Sequence, residues 1–178
     1  MKSADKRLVL ATVAATLAAS VALAVVGGAL LLFSGWYNIG ATAQHWQPAF
    51  TLLERGMHYS VQYHAADIQP PALDAPQMVR RGATIYREHC LQCHGGPGMS
   101  QAGFGKSMQP LPGPLVDAGR RWKPQEMYWI TRHGIKMSGM PAWEFRLPDE
   151  DIWAVVAFLG KLPALSPKDF AQAMEAEK

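Results

Sequence analysis

The chain has 178 residues and a net charge of +3, with 49% hydrophobic and only 17% charged residues, against roughly 25% charged in an average globular domain. The missing charge is local, since no Asp, Glu, Lys or Arg occurs from Leu8 to Leu53. This excludes a purely cytosolic globule, a disordered chain and a multi-span transporter; with no basic stripe interleaved with aromatics, no nucleic-acid partner is expected.

The first predicted element is a membrane span. Leu8 to Phe33 is interrupted only by Thr12, Thr16, Ser20 and the Gly27–Gly28 pair. As a helix it would be about 39 Å long, more than the roughly 30 Å of a hydrocarbon core. Trp36 and Tyr37 follow, where an aromatic belt would sit. Lys2, Lys6 and Arg7 precede the run, and the next cation is Arg55. The positive-inside rule then puts residues 1–7 in the cytoplasm, an anchor over 8–37, and the rest on the outer face. A cleaved signal peptide is the rival reading. Its apolar region should be only 7–15 residues long, although Ala41-Thr42-Ala43 fits a small-x-small cleavage site. A buried core helix conflicts with a run that is apolar on every face.

Residues 38–76 read as a linker. Pro48 to Arg55 suits an amphipathic helix with Phe50, Leu53 and Met57 on one face, whereas Met57, Tyr59, Val61 and Tyr63 alternate as a strand would. The two readings stay open. His45, His58 and His64 have no tight ligand spacing and are expected to be surface or interfacial. Asp67 to Pro76 holds three prolines and reads as a hinge.

A helix is expected from Pro76, with Asp74 as a cap and Val79, Gly82, Ala83 and Tyr86 recurring at helical spacing. Another is expected over Pro124 to His133. A closing helix should run from the acidic start Asp149-Glu150-Asp151 to Leu159 and stop at Gly160. Pro167 to Lys178 suggests a frayed amphipathic helix.

Between these lies Cys90-Leu91-Gln92-Cys93-His94, which contains both cysteines of the chain. Cys-x-x-Cys-His is the attachment signal for c-type haem. Two thiols at this spacing can add to the two vinyl groups of one porphyrin, and the adjacent imidazole can serve as the proximal iron ligand. A thioredoxin-like redox pair would need a βαβ context that the sequence lacks. A zinc site needs two further ligands, and His89 adjoins Cys90 too closely to share a tetrahedron with both thiols. A second axial ligand should come from Met99, Met108, Met127, Met137 or Met140. Met140, before the rigid Pro141, is better placed than Met137.

With these elements the sequence resembles a monohaem, membrane-anchored class I c-type cytochrome. The matching elements are Gly82–Tyr86, Cys90–Gly95, Gly113-Pro114-Leu115, Ile130–Gly134, Gly139-Met140-Pro141-Ala142-Trp143 and Asp149–Leu159. The resemblance implies an all-α domain over 77–163 around one haem c, a tail over 164–178, Met140 as distal ligand and Met137 in reserve. It further implies that the Pro114 carbonyl accepts from His94 Nδ1–H. Gly82 and Tyr86 should meet a face carrying Trp153, Val156 and Phe158 or Leu159.

Ligation by His94 and Met140 would leave no open iron site, so an electron carrier is expected rather than an enzyme. It would be tethered to the bacterial inner membrane with its haem in the periplasm. There it would relay electrons from a dehydrogenase or quinol-oxidising complex to a terminal oxidase or reductase. Steering would come from local patches such as Arg120, Arg121 and Lys123. The alternative is a haem enzyme or gas sensor with a labile distal methionine, in which the glycine-rich stretch 95–113 could move.

Overall fold

The computed structural model describes residues 3–175, so Lys2 and the last three residues of the expected tail lie outside the described residues. The described chain is helical with no β-strand, its one extended pairing being an isolated bridge between Gly96 and Met99. It divides into two compact units, Met1–Gly40 and Ala41–Lys178. The all-α expectation holds, and so does the single apolar N-terminal helix.

Helix α1, Ser3–Phe33, makes up most of the first unit. Its span Ala4–Phe33 is long and apolar enough to cross a membrane, and its large apolar side chains are exposed. A helix that is apolar all round suits lipid rather than water.

The second unit is built on two helices, α3 (Pro76–His89), which starts at the expected Pro76, and α8 (Asp149–Leu159), which has both its expected bounds. Both begin after a residue with extended backbone, and α3 carries proline in its first turn, where a missing N–H costs nothing. They cross at Gly82, where an added β-carbon would lie 1.9 Å from the Ala154 carbonyl oxygen. Only a residue without a side chain lets the backbones approach so closely. Tyr86 and Phe158 pack across the crossing with ring centroids 5.3 Å apart, and both are buried. Trp153, expected on the same face, instead stacks on Tyr128 at 4.1 Å and serves α7 (Pro124–His133). Helix α7 starts as predicted, with the Glu126 carboxylate accepting from the Lys123 backbone N–H at 2.7 Å. Asp74 does not cap α3: Ala75 occupies that position without a side-chain bond, and Asp74 pairs with Lys161 at 3.0 Å.

The stretch read as a linker is largely structured. Gln47–His64 forms helix α2, which settles the helix-or-strand ambiguity. Met57, Val61 and Ala65 recur every four residues on its inner face, with Val61 and Ala65 fully buried, while Tyr59 and Tyr63 face solvent. The apparent alternation mixed residues from opposite sides of one helix. Helix α2 lies against α7 and the short α6 (Ala118–Arg121). His58 stacks on Trp122 at 4.1 Å, His64 on Trp129 at 5.5 Å, and Glu54 pairs with Arg121 at 3.4 Å. These histidines are interfacial, as expected.

The tail forms the expected amphipathic helix over its described residues, but packed on the domain rather than frayed. Pro167–Met174 is a docked helix, α9, capped by Ser166 and anchored by buried Phe170 and Met174. Phe170 fills the space beside Gly96, whose added β-carbon would sit 2.1 Å from the Phe170 ring.

Candidate haem-attachment site

The motif forms a single turn at the end of α3. Cys90 N–H donates to the Tyr86 carbonyl at 2.9 Å, and helix α4 (Leu91–His94) follows at once. His94 N–H reaches back to the Cys90 carbonyl at 3.0 Å. The chain then leaves through Gly95, whose φ of 62° lies in the left-handed region that glycine adopts without strain. The buried hydroxyl of Tyr86 donates to the Gly95 carbonyl at 2.7 Å, tying the residue after His94 to α3. Tyr86 therefore does more than pack; a hydroxyl where a phenyl ring would fill the same core was the available sequence signal.

His94 Nδ1 lies 2.8 Å from the Gly113 carbonyl oxygen. A carbonyl can only accept, so Nδ1 carries the proton and Nε2 keeps its lone pair. The expected acceptor was Pro114; the structure puts it one residue earlier. The path of this loop is set by a distant contact, since the Gln101 side-chain amide donates to the Pro112 carbonyl and presents the next carbonyl to the imidazole. Gln101 was not foreseen. The segment 95–113 is pinned rather than loose. Gly96 and Met99 exchange backbone bonds of 2.8 and 2.9 Å. Helix α5 (Gly103–Lys106) rests on the motif through Gly105, where a β-carbon would come within 2.9 Å of Cys93 Cα.

The electrostatics favour a ligand and disfavour a redox dithiol. Burial lowers the pKa of His94, and the Gly113 bond opposes that only in part, so the imidazole stays neutral, as an iron ligand must be. Burial, aided by the neighbouring Cys93, pushes the Cys90 thiol up to about 12, and burial also raises Cys93. A thioredoxin-type pair works through a lowered thiol pKa, the opposite of this. Both cysteines are free. The His89 ring packs 4.9 Å from Trp143, and no cluster of three or more His, Cys, Asp or Glu with metal-site geometry occurs among the described residues.

The five methionines separate clearly. Met127 is buried in the core face of α7. Met137 is 80% exposed and has a left-handed backbone. The backbone of Met99 is held by Gly96, and its side chain is 38% exposed. Met108 packs on Gly139, beside Met140 in sequence. Met140 is half-buried, and its loop is fixed at both ends. Ile135 N–H donates to the Met140 carbonyl at 3.2 Å, Met140 N–H donates to Ser138 Oγ at 3.1 Å, and Trp143 N–H donates to the Thr131 carbonyl at 3.3 Å. Gly134, with φ of 68°, lets α7 run directly against Met140–Ala142. Two free thiols, an imidazole with an available Nε2 and a thioether on a fixed loop fit a covalent haem.

Residues 77–159 match the family model described as "Cytochrome C oxidase, cbb3-type, subunit III". Neither the curated proteins nor the solved structures contain a match to the chain. The match covers α3, the Cys90–His94 motif, the Met140 loop and α8, and leaves out α1, α2 and α9. The chain therefore carries a c-type cytochrome domain, the module of an electron carrier, preceded by one apolar helix of membrane-spanning length.

Proposed function

We propose that the protein is a membrane-tethered one-electron relay whose haem unit works on the periplasmic face of a bacterial inner membrane. It takes electrons from a dehydrogenase or quinol-oxidising complex and passes them to a terminal oxidase or reductase, either as a shuttle or as a fixed subunit. When bound, haem c supplies a one-electron ferrous/ferric couple. Cys90 and Cys93 would hold it through thioethers, and His94 and Met140 would supply the ligands to its iron. The bond from His94 Nδ1–H to Gly113 keeps the ring in one orientation, raises the basicity of Nε2 and fixes the tautomer that can ligate. That bond is the observation that carries the reading, because a merely structural histidine has no need of a free, oriented Nε2. A thioether as the second ligand would raise the potential and would leave no position for substrate.

The Arg120–Arg121–Lys123 patch is a weak candidate for steering, since Arg120 pairs with Asp117 at 3.5 Å and Arg121 with Glu54. A tether raises the effective concentration at membrane partners in any case.

The test is the visible spectrum of the purified, dithionite-reduced protein with and without carbon monoxide. A sharp low-spin haem c spectrum untouched by the gas is expected. A shift on adding carbon monoxide would replace the relay with a haem enzyme or gas sensor.

A further inference from the structure

Helix α2 lies outside the family match and carries two opposed faces. Its inner face is locked onto α6 and α7 by the two histidine–tryptophan stacks and the Glu54–Arg121 pair. On its outer face Leu52, Tyr59 and Tyr63 fall in line at i, i+7 and i+11, and they are 73%, 72% and 80% exposed. Gly56 lies between them with nothing within 4 Å of where a β-carbon would be, so the stripe is flat. Large apolar side chains aligned in water on a helix whose other side packs on the protein through Val61 and the two histidine–tryptophan stacks indicate a surface that is covered in use.

The chemistry of the stripe narrows what covers it. From Gln44 to Ala66 the only formally charged residues are Glu54 and Arg55. Glu54 is turned inward to Arg121, so the one charge left beside the stripe is the Arg55 cation. Tyrosine, leucine and a flanking arginine, without an acid, are the residues of a helix lying in the headgroup layer. The sequence leading into α2 has the same character: Trp36, Tyr37, Ile39 and Trp46 are all exposed. Only 13 residues, 34–46, separate the last residue of the apolar helix from the first of α2. Fully extended they reach about 45 Å, and turns near Ser34, Asn38 and Ala41 shorten that.

We infer that α2 lies flat in the headgroup layer of the membrane that α1 crosses, with Leu52, Tyr59 and Tyr63 turned into the lipid. This rests on the membrane-anchor reading and adds orientation to it. Because α2 is locked to α6 and α7, seating it on lipid fixes the heading of the whole haem unit, where a flexible tether would leave it free to tumble.

The experiment uses the full-length, haem-loaded protein in nanodiscs of phosphatidylethanolamine and phosphatidylglycerol. Nitroxide labels are placed singly at Leu52→Cys, Tyr59→Cys and Lys168→Cys, the last at an exposed position of α9. Collisions with oxygen should exceed those with a water-soluble nickel chelate several-fold at 52 and 59, with the reverse at 168. In oriented bilayers the haem paramagnetic signal should be sharply ordered relative to the membrane normal, and a Leu52→Glu/Tyr59→Glu double variant should lose that order. Equal nickel access at 59 and 168 would overturn the inference. So would shielding of 52 and 59 from both probes, which would mean that a second copy or another protein covers the stripe. An ordered haem signal persisting in the double variant would also overturn it. The reduced spectrum, recorded on every sample, separates this failure from a failure of the relay reading.

Discussion

Gly82→Ala tests the α3–α8 crossing on which the haem motif is mounted. On helix propensity alone the change would favour folding by about 1 kcal/mol. The crossing reverses the sign. The new β-carbon would lie 1.9 Å from the Ala154 carbonyl oxygen, 2.6 Å from its carbon and 2.9 Å from Phe158 Cβ, whereas real contacts of this kind stay beyond 3.0 Å. The nearest atoms are backbone, so no rotamer change relieves the clash and the helices must part by roughly 1 Å. A gap of that size forfeits a quarter to a half of the dispersion attraction at the contacts it opens, including the Tyr86–Phe158 pair. Overpacking of a tight core costs about 1–3 kcal/mol or more; with the lost packing included and propensity subtracted, we expect a destabilisation of about 2–4 kcal/mol. Gly56→Ala is the internal control. It is also mid-helix, but no atom lies within 4 Å of its added carbon, so it should gain about 0.5–1 kcal/mol. Guanidinium unfolding of the haem-loaded protein, followed by far-ultraviolet circular dichroism, should move the two midpoints in opposite directions. Equal midpoints, or a stabilised Gly82→Ala, would refute the close crossing.

Met140→Ala should lower the reduction potential and let carbon monoxide shift the reduced spectrum, while Met137→Ala leaves both unchanged; the reverse pattern would move the distal ligand to Met137. Phe170→Ala, which empties the space beside Gly96 and removes the anchor of α9, should cost about 3–5 kcal/mol and hasten proteolysis near Pro167. A loss well under 1 kcal/mol would show that α9 is not docked. Tyr86→Phe leaves the Gly95 carbonyl without its donor and should cost about 1–3 kcal/mol near neutral pH. Burial, with a smaller contribution from Cys90, raises the Tyr86 pKa above its ordinary 10.0. The protonated hydroxyl is thus favoured in the folded state. Its contribution is fully present below about pH 10 and declines as pH rises toward the folded value. The alkaline loss of stability expected in the parent should be reduced in Tyr86→Phe, and identical alkaline limbs in unfolding titrations would count against a buried, protonated tyrosine.

Much of this molecule is written in short-range code. The apolar run to Phe33, the Cys90–His94 motif and the ends of α3, α7 and α8 follow from residues within a few positions of each other. Hydrocarbon thickness, thioether spacing, proline in the first turn and glycine at a helix end act locally. The features that only the tertiary structure decided depend on partners far away in the chain. The acceptor for His94 is Gly113 rather than Pro114, in a loop pinned by Gln101. Trp153 turns to Tyr128, leaving Tyr86 to meet Phe158. Asp74 goes to Lys161, 87 positions on, instead of capping its own helix. The inner face of α2 and the docking of α9 follow from Trp122, Trp129 and Gly96, which neither segment encodes. A period in the sequence names the candidate faces of a helix, but which face is buried is settled by the surface that meets it.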